Sequence, residues 1–368
     1  MKIGILTYHR AENYGALLQA YATLNYLKGL GHEAEFVDYW PVYHSEYFKV
    51  FSMASFKKSS LKGKLAKLGR LVLVGHKLRQ RKRVMQQFIY EQLGLPTRPK
   101  YEDRNAMTES YDAVIYGSDQ IWRKQGLGGV GFDDWYFGGN NVQAMKKIVY
   151  AGSMGKIATN AQEDVYVKEQ MAHFDQISVR EDDLLKYLKR LGVSSVRVCD
   201  PVFLLSRKQW EEVCVAPKIE QHYILFYNLL NAKESAAFAR KLSAETGLPV
   251  YEITKKTAIF SRDAHMISNA SVGEFLGLVR GADYVVSNSF HGVAFSIIFE
   301  KQFYAVGMGE KANRVVSLLE SVGLRDRYLE TSRQDFRVSL IDFETPRQML
   351  KSMVEKSSEY LNEALTKA

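Results

Sequence analysis

Apolar residues along this chain fall into two rhythms. Short continuous runs at residues 3–7, 113–116, 148–151, 176–179 and 196–199 have the length and composition of strands buried on both faces. Between them apolar positions recur at near-helical spacing. Leu17, Tyr21, Leu24 and the Tyr26-Leu27 pair mark one face of a helix over 15–30, and Gly31 closes it as a C-cap before a strand over 35–38. A charged run opens a further helix at 182–190. A second series follows the region of Pro201 and Pro217, with strands at 223–228, 250–254 and 283–287. Its helices are predicted at 232–246, ending at Gly247, at 272–280, and from near Phe290 onward.

Strands that alternate with helices predict an α/β fold, with parallel sheets covered on both faces. A chain of 368 residues exceeds what one core usually serves. The expected architecture is therefore two Rossmann-like domains facing a cleft. The first covers 1–215 and carries a basic helical insertion at about 45–95. The second covers 216–345, and 346–368 forms a C-terminal helix placed to return to the first domain. The active site is expected in the cleft, at the carboxyl ends of the strands.

Composition narrows the class. An apolar fraction of 46% and an aromatic fraction of 12% suit a globular enzyme. No apolar stretch reaches the roughly 18 residues that span a bilayer, and the opening MKIGILTYHR lacks a charged-then-apolar signal layout. A cytoplasmic location is expected. Cys199 and Cys214 lack disulfide, zinc or redox spacing and read as packing residues.

The net charge of +9 has one source. Twelve Lys and Arg lie between Lys49 and Arg83, while no Asp or Glu occurs from Tyr47 to Tyr90, and the remainder of the chain is slightly acidic. Leu61, Leu65, Leu68 and Val72 keep helical spacing there, with Lys62, Lys64, Lys67 and Arg70 between them. Two readings stand at equal weight: residues 49–83 lie on an anionic membrane surface, making the protein peripheral at the inner face, or they form a solvated helix packed on its own domain. No nucleic-acid partner is expected, because no RNP, KH or zinc signature accompanies the charge.

Candidate chemistry sits at strand ends. In DYVVSNSFHGVAFSIIF a buried strand ends in Ser287, Asn288 and Ser289, and a helix starts at His291-Gly292. Such a start offers unpaired N–H groups to a phosphate or carboxylate. His291 stands where it would contact that anion or move a proton, the alternative being a histidine that caps its own helix. Arg180-Glu181 ends another strand. There an arginine fork for an oxyanion and a structural ion pair are equally open. Gly117-Ser118-Asp119-Gln120-Ile121-Trp122 offers a base and a sugar-stacking ring, or equally a capping Asp and a core tryptophan. The turn Asn13-Tyr14-Gly15 should face the cleft. Asp200-Pro201 reads as a structural turn, and Lys311 and Arg314 offer further anion contacts. Glycines 126, 128, 129 and 131 match GxGxxG nominally but without a preceding strand, so they read as loop. No clustered metal ligands are visible.

Taken in order, ILTYHRAENYGALLQAYA, YDAVIYGSDQIW, SVRE, DPVFLL and SNSFHGVAFSIIF closely resemble the polysaccharide pyruvyl transferase pattern over nearly the full length. The resemblance implies a GT-B-like fold, with the first domain on the acceptor side and the second on the donor side. It implies phosphoenolpyruvate as co-substrate, no other cofactor, and a hexose acceptor of a surface polysaccharide. Galactose-type and polyprenyl-diphosphate-linked acceptors are included in that class. It makes His291 and Arg180 donor-binding and catalytic, with Glu181 or Asp119 as base. Asn288, Ser289, Gly292, Lys311 and Arg314 are the further donor contacts. Asn13, Tyr14, Gly15, Ser118, Asp119, Gln120 and Trp122 are expected on the acceptor. Ser289 departs from the pattern, standing where some relatives carry a basic residue. The competing readings are a nucleotide-sugar glycosyltransferase of the same architecture and a non-enzymatic, membrane-associated scaffold of polysaccharide assembly.

Overall fold

The computed structural model describes residues 1–51, 53–57, 59–102, 108–125, 131–139, 142–230, 232–254, 265–309, 312–334, 336 and 338–366. Among them are two six-stranded, all-parallel sheets. The first contains β1 (Lys2–Leu6), β2 (Glu33–Phe36), β3 (Ser110–Tyr116), β4 (Gln143–Gly152), β5 (Gln176–Val179) and β6 (Val196–Arg197), in the order β2-β1-β3-β4-β5-β6. The second contains β7 (Ile224–Asn228), β8 (Val250–Thr254), β9 (Met266–Ile267), β10 (Tyr284–Ser287), β11 (Gln302–Val306) and β12 (Tyr328–Leu329), ordered β12-β11-β10-β7-β8-β9. This is the expected α/β, GT-B-like pair.

In each sheet the chain first builds outward in one direction and then crosses back, so the direction of winding reverses between β1 and β3 and again between β7 and β10. Connecting loops diverge at such a reversal and leave a crevice beyond the carboxyl ends of the strands, where open α/β sheets bind their ligands. The predicted strands are recovered, the third and fourth starting three and five residues earlier than expected at Ser110 and Gln143 and the others displaced by no more than two residues. The second strand runs Glu33–Phe36 rather than 35–38, because the backbone beyond it leaves β1 to pair with Tyr101, whose N–H donates to Asp38 O (3.0 Å) and whose carbonyl accepts from Trp40 N–H (2.9 Å). The sixth stops at Arg197, two residues early, because the Cys199 N–H bonds to Ser357 Oγ (2.9 Å) instead of a ladder partner. The short strands β9, β11 and β12 lacked a strong enough pattern to be predicted.

Helices α1 (Tyr14–Gly29), α2 (Val42–Tyr47), α3 (Met53–Lys57), α4 (Leu61–Glu91), α5 (Ala161–Met171), α6 (Asp182–Arg190) and α7 (Arg207–Val213) accompany the first sheet and its exit. Helices α8 (Lys233–Thr246), α9 (Val272–Gly281), α10 (Phe290–Ile298) and α11 (Ala312–Ser321) accompany the second, and α12 (Glu344–Thr366) ends the chain. One buried apolar cluster joins the sheets, running from Leu17 and Leu18 of α1 through Val202, Phe203 and Trp210 to Phe275 and Phe295. Trp210 lies edge-on to Phe295 at 4.9 Å and donates Nε1–H to Val202 O. The last helix packs on the first sheet: Tyr360 Oη donates to Val149 O (3.0 Å) and Lys146 Nζ to Leu365 O (2.8 Å). No described helix is long and apolar enough to cross a membrane.

Ser357 is buried and bridges Met353 O and Cys199 N–H. Ser357→Ala leaves that amide buried without a partner and should cost about 1–3 kcal/mol in chemical denaturation. Unchanged stability would mean that this join does not hold α12 in place.

Candidate active site

The first sheet brings three loop ends together. Beyond β1, Arg10 forms a two-pronged pair with Asp38 (Nε to Oδ1 2.6 Å, Nη2 to Oδ2 2.7 Å), and His9 Nε2 lies 3.1 Å from the same carboxylate. Burial opposes ionisation of Asp38, but these partners outweigh it and hold its pKa at about 2. Arg10 also donates to Pro96 O (2.9 Å), so the turn after β1 is tied to the segment that leaves α4. That turn then starts α1, with Asn13 Oδ1 capping the Ala16 N–H at 2.9 Å. The Gly117–Ser118 peptide beyond β3 is cis, and Ser118 N–H donates to Gln19 Oε1 (3.1 Å).

Arg180, at the end of β5, is the hub. Its Nη1 donates to Asp200 Oδ2 (2.6 Å) and Ser118 Oγ (3.2 Å), and its Nε to Glu181 Oε1 (3.0 Å). Glu181 Oε1 also accepts from Ser153 Oγ (2.6 Å). Burial works against the guanidinium charge, yet Glu181 and Asp200 outweigh it and raise its pKa above the ordinary arginine value. The same pairing holds Asp200 below the usual carboxylate range against the opposing effect of burial. The structure shows Arg180 in the ion-pair arrangement, with Nη2 buried and without a partner among the described residues.

His291 arrives from the other sheet, in the first turn of α10. Its ring lies so close to α1 that a Cβ on Gly15 would stand 2.2 Å from Nδ1; only glycine leaves room there. Gly292 is required for a similar reason, since its Cβ would stand 2.2 Å from Ser287 Oγ. His291 Nε2 is 3.9 Å from Asp200 Oδ2 and, like Glu181 Oε2, is buried without a partner. Burial is the main cause that lowers its pKa to about 4, with Asp200 pulling the other way and Arg180 pushing it further down. Arg314 of α11 adds a second guanidinium, its pKa lowered first by burial and then by Arg180.

Three orphaned polar atoms, Arg180 Nη2, Glu181 Oε2 and His291 Nε2, thus lie around the Arg180–Asp200 pair at the seam of the sheets. Each costs about 1–3 kcal/mol while unpaired. An oxyanion beside the arginine and histidine would relieve two of them. Asp200, read from sequence as a structural turn, caps the short helix Pro201–Phe203 and also carries the link between Arg180 and His291. Nothing in a lone Asp-Pro pair distinguishes the two roles.

Several expected ligand contacts are corrected. Trp122 is fully buried with Nε1 donating to Tyr136 O (2.8 Å), so neither ring face meets a sugar. Tyr14 stacks on Phe275 at 4.4 Å and donates to Ala270 O (2.7 Å), locking the two sheets together. Asn288 accepts from the N–H groups of Leu229 and Leu230 and donates to Asn228 Oδ1 and Ser235 Oγ, which leaves it nothing for a donor. Ser118 is enclosed and belongs to the Arg180 network rather than to an acceptor surface. Ser289 is buried, and its N–H is taken by Ser287 Oγ. Lys311 and the glycines 126, 128 and 129 lie outside the described residues.

Asn13, Asp119 and Gln120 instead border a cavity of about 380 Å³ whose other wall is aromatic: Tyr8, Trp40, Tyr43 and Tyr47. His44, also on that wall, is held neutral by burial at a pKa of about 3. Arg123 stands at the rim. The sequence reading missed this wall; its available signal was the run Trp40-Pro41-Val42-Tyr43-His44 at a strand exit. Among the described residues no group of three His, Cys, Asp or Glu could hold a metal ion.

The family profile described as polysaccharide pyruvyl transferase matches residues 13–309. No curated protein sequence matches the chain. Among solved structures it is similar to the UDP-GlcNAc 2-epimerase of Methanocaldococcus jannaschii, at 11% identity and a TM-score of 0.45, over 96% of this chain and 100% of that one. It is also similar to the glycosyltransferase SnogD of Streptomyces nogalater (12% identity, TM-score 0.41, 99% of each chain) and to the E. coli heptosyltransferase WaaC (11% identity, TM-score 0.36, 83% of this chain and 88% of that one). None of these likenesses bears on chemistry.

In the free protein the His291 ring should titrate near pH 4. The folded state then binds fewer protons than the unfolded chain between about pH 4 and 6.5, so this residue makes stability fall as pH drops through that window. Ring-nitrogen NMR, assigned with His291→Gln, checks this; a midpoint at or above 6.5 would contradict the burial described.

Proposed function

The chain belongs to the polysaccharide pyruvyl transferase family, and on that premise we propose that it transfers pyruvate from phosphoenolpyruvate to a hydroxyl pair of a hexose as a cyclic ketal. The hexose is of galactose type and lipid-linked, and the protein meets it at the inner face of the cell membrane. The observation that carries the reading is the set of orphaned buried atoms around Arg180 and His291. These residues are suited to a small polyanion with a proton to exchange.

Arg180 Nη2, Arg314 and the open N–H groups at the start of α10 bind the donor's carboxylate and phosphate. Arg314 takes over the duty for which Ser289 is unsuited. Phosphoenolpyruvate brings negative charge to a neutral His291, which raises its pKa and loads it with a proton in the complex. Transfer of that proton from His291 to the methylene carbon leaves a cationic C2 that one acceptor hydroxyl attacks, its released proton returning to the imidazole. Phosphate then leaves with its bridging oxygen as His291 assists, and the neighbouring hydroxyl closes the ketal. That second hydroxyl gives up its proton with Asp119 or the free oxygen of Glu181 as base. Asn13, Gln120 and the aromatic wall hold the sugar. Gly15 leaves room for the imidazole against the start of α1.

The test is phosphate release from phosphoenolpyruvate by purified protein with free and lipid-linked galactose, glucose and mannose acceptors, followed by product mass. The expected product gains the mass of pyruvic acid less one water. Turnover of a nucleotide sugar without use of phosphoenolpyruvate would overturn the proposal.

Two variants separate the roles. His291→Gln should lower kcat by about 10²- to 10⁴-fold, and Arg314→Ala should raise KM for phosphoenolpyruvate by roughly tenfold or more through a lost charge-assisted bond. Wild-type kinetics in either variant would remove that residue from the scheme.

A further inference from the structure

We propose that the first turns of α4, together with α2 and α3, form a docking surface for an anionic lipid bilayer, one that presents the aromatic cavity beside Asp119 to a lipid-carried saccharide. The inference rests on the acceptor reading above and names the surface through which that acceptor is reached.

A helix that merely covers its own domain turns its apolar stripe inward. The second half of α4 does so: Met85, Phe88 and Ile89 are buried, with Phe88 5.7 Å from Tyr21 of α1. The first half does the opposite. Leu61, Leu65, Leu68 and Val72 keep the spacing of one face, yet are 76%, 64%, 43% and 82% exposed. Leu73 on the flank, Met53 of α3 and Tyr47 of α2 are exposed as well. Single exposed apolar side chains are ordinary, but a continuous outward row is a contact surface awaiting a partner.

Charge selects the partner. Lys62, Lys64, Lys77, Arg79 and Arg83 lie along the same helix, and the absence of any acid from residue 47 to residue 90 leaves them with no acidic residue on their own segment. Nucleic acid would use the charge and leave the apolar row idle. An anionic bilayer uses both, burying leucine and valine at the acyl boundary while lysines meet headgroups. The surface is also coupled to the site. Lys82 of α4 bonds to Phe48 O (3.1 Å) and pairs with Glu12 (3.1 Å) in the turn that carries Asn13. Tyr47 and Phe48 themselves line the cavity.

Full-length protein is sedimented with vesicles of phosphatidylcholine alone and of phosphatidylcholine mixed with phosphatidylglycerol. Binding is expected only to the mixed vesicles, weakening as salt rises. The pair Lys62→Ala with Lys64→Ala should bind roughly thirtyfold more weakly, at about fivefold per basic residue. The pair Leu65→Ser with Val72→Ser should lose at least about tenfold from apolar burial. Both variants should keep the wild-type Tm and the wild-type rate with a water-soluble acceptor. Equal binding to neutral vesicles, binding to neither vesicle, wild-type binding by either double variant, or binding of RNA in place of vesicles overturns the proposal. Vesicle binding needs neither donor nor acceptor, so its failure is read separately from any failure of pyruvyl transfer.

Discussion

The pairing of Arg180 with two buried carboxylates is the interaction on which the rest of the site depends. The charge of a guanidinium withdrawn from water at the end of β5 is offset by Glu181 and Asp200, which hold it from two sides. Those bonds fix its plane and leave one nitrogen unused. Asp200 then reaches toward His291, so the electrostatics of the second sheet's helix start are set by a residue of the first. Neither sheet alone contains the site. The apolar seam of Tyr14, Phe275, Trp210 and Phe295 keeps the two halves in register.

Much of this was legible in the sequence. Parallel strands buried on both faces read as unbroken apolar runs, so most strands were placed by pattern alone, and the polar residues directly after them marked the loops at the strand ends. Gly15 and Gly292 were visible as glycines at helix starts. Their reason was not, because it lies in a side chain across the seam for one and in Ser287 for the other. Orientation was the general blind spot. Asn288, Ser118 and Trp122 sit in the right loops, but their polar groups are consumed by backbone and side-chain partners distant in sequence. A one-dimensional reading places a residue near a site without saying which way it points.

Asp200 and the aromatic wall show the converse. An Asp-Pro pair with an apolar run behind it carries no local sign of an arginine twenty positions earlier. Tyr8, Trp40, Tyr43 and Tyr47 come from two segments that leave the neighbouring strands β1 and β2 and are tied together by the Arg10–Asp38 pair. The long basic helix is a third case. Its stripe of leucines was evident, but whether a stripe faces inward or outward is a tertiary fact, decided here by exposure.

The central claim is that a small polyanion completes the Arg180 cluster between the two sheets. A crystal structure with phosphoenolpyruvate bound tests it most directly. The account predicts an oxyanion within hydrogen-bond reach of Arg180 Nη2 and His291 Nε2, with Arg314 on the same ligand. Phosphoenolpyruvate bound elsewhere, with Arg180 Nη2 and His291 Nε2 still unpaired, would contradict it.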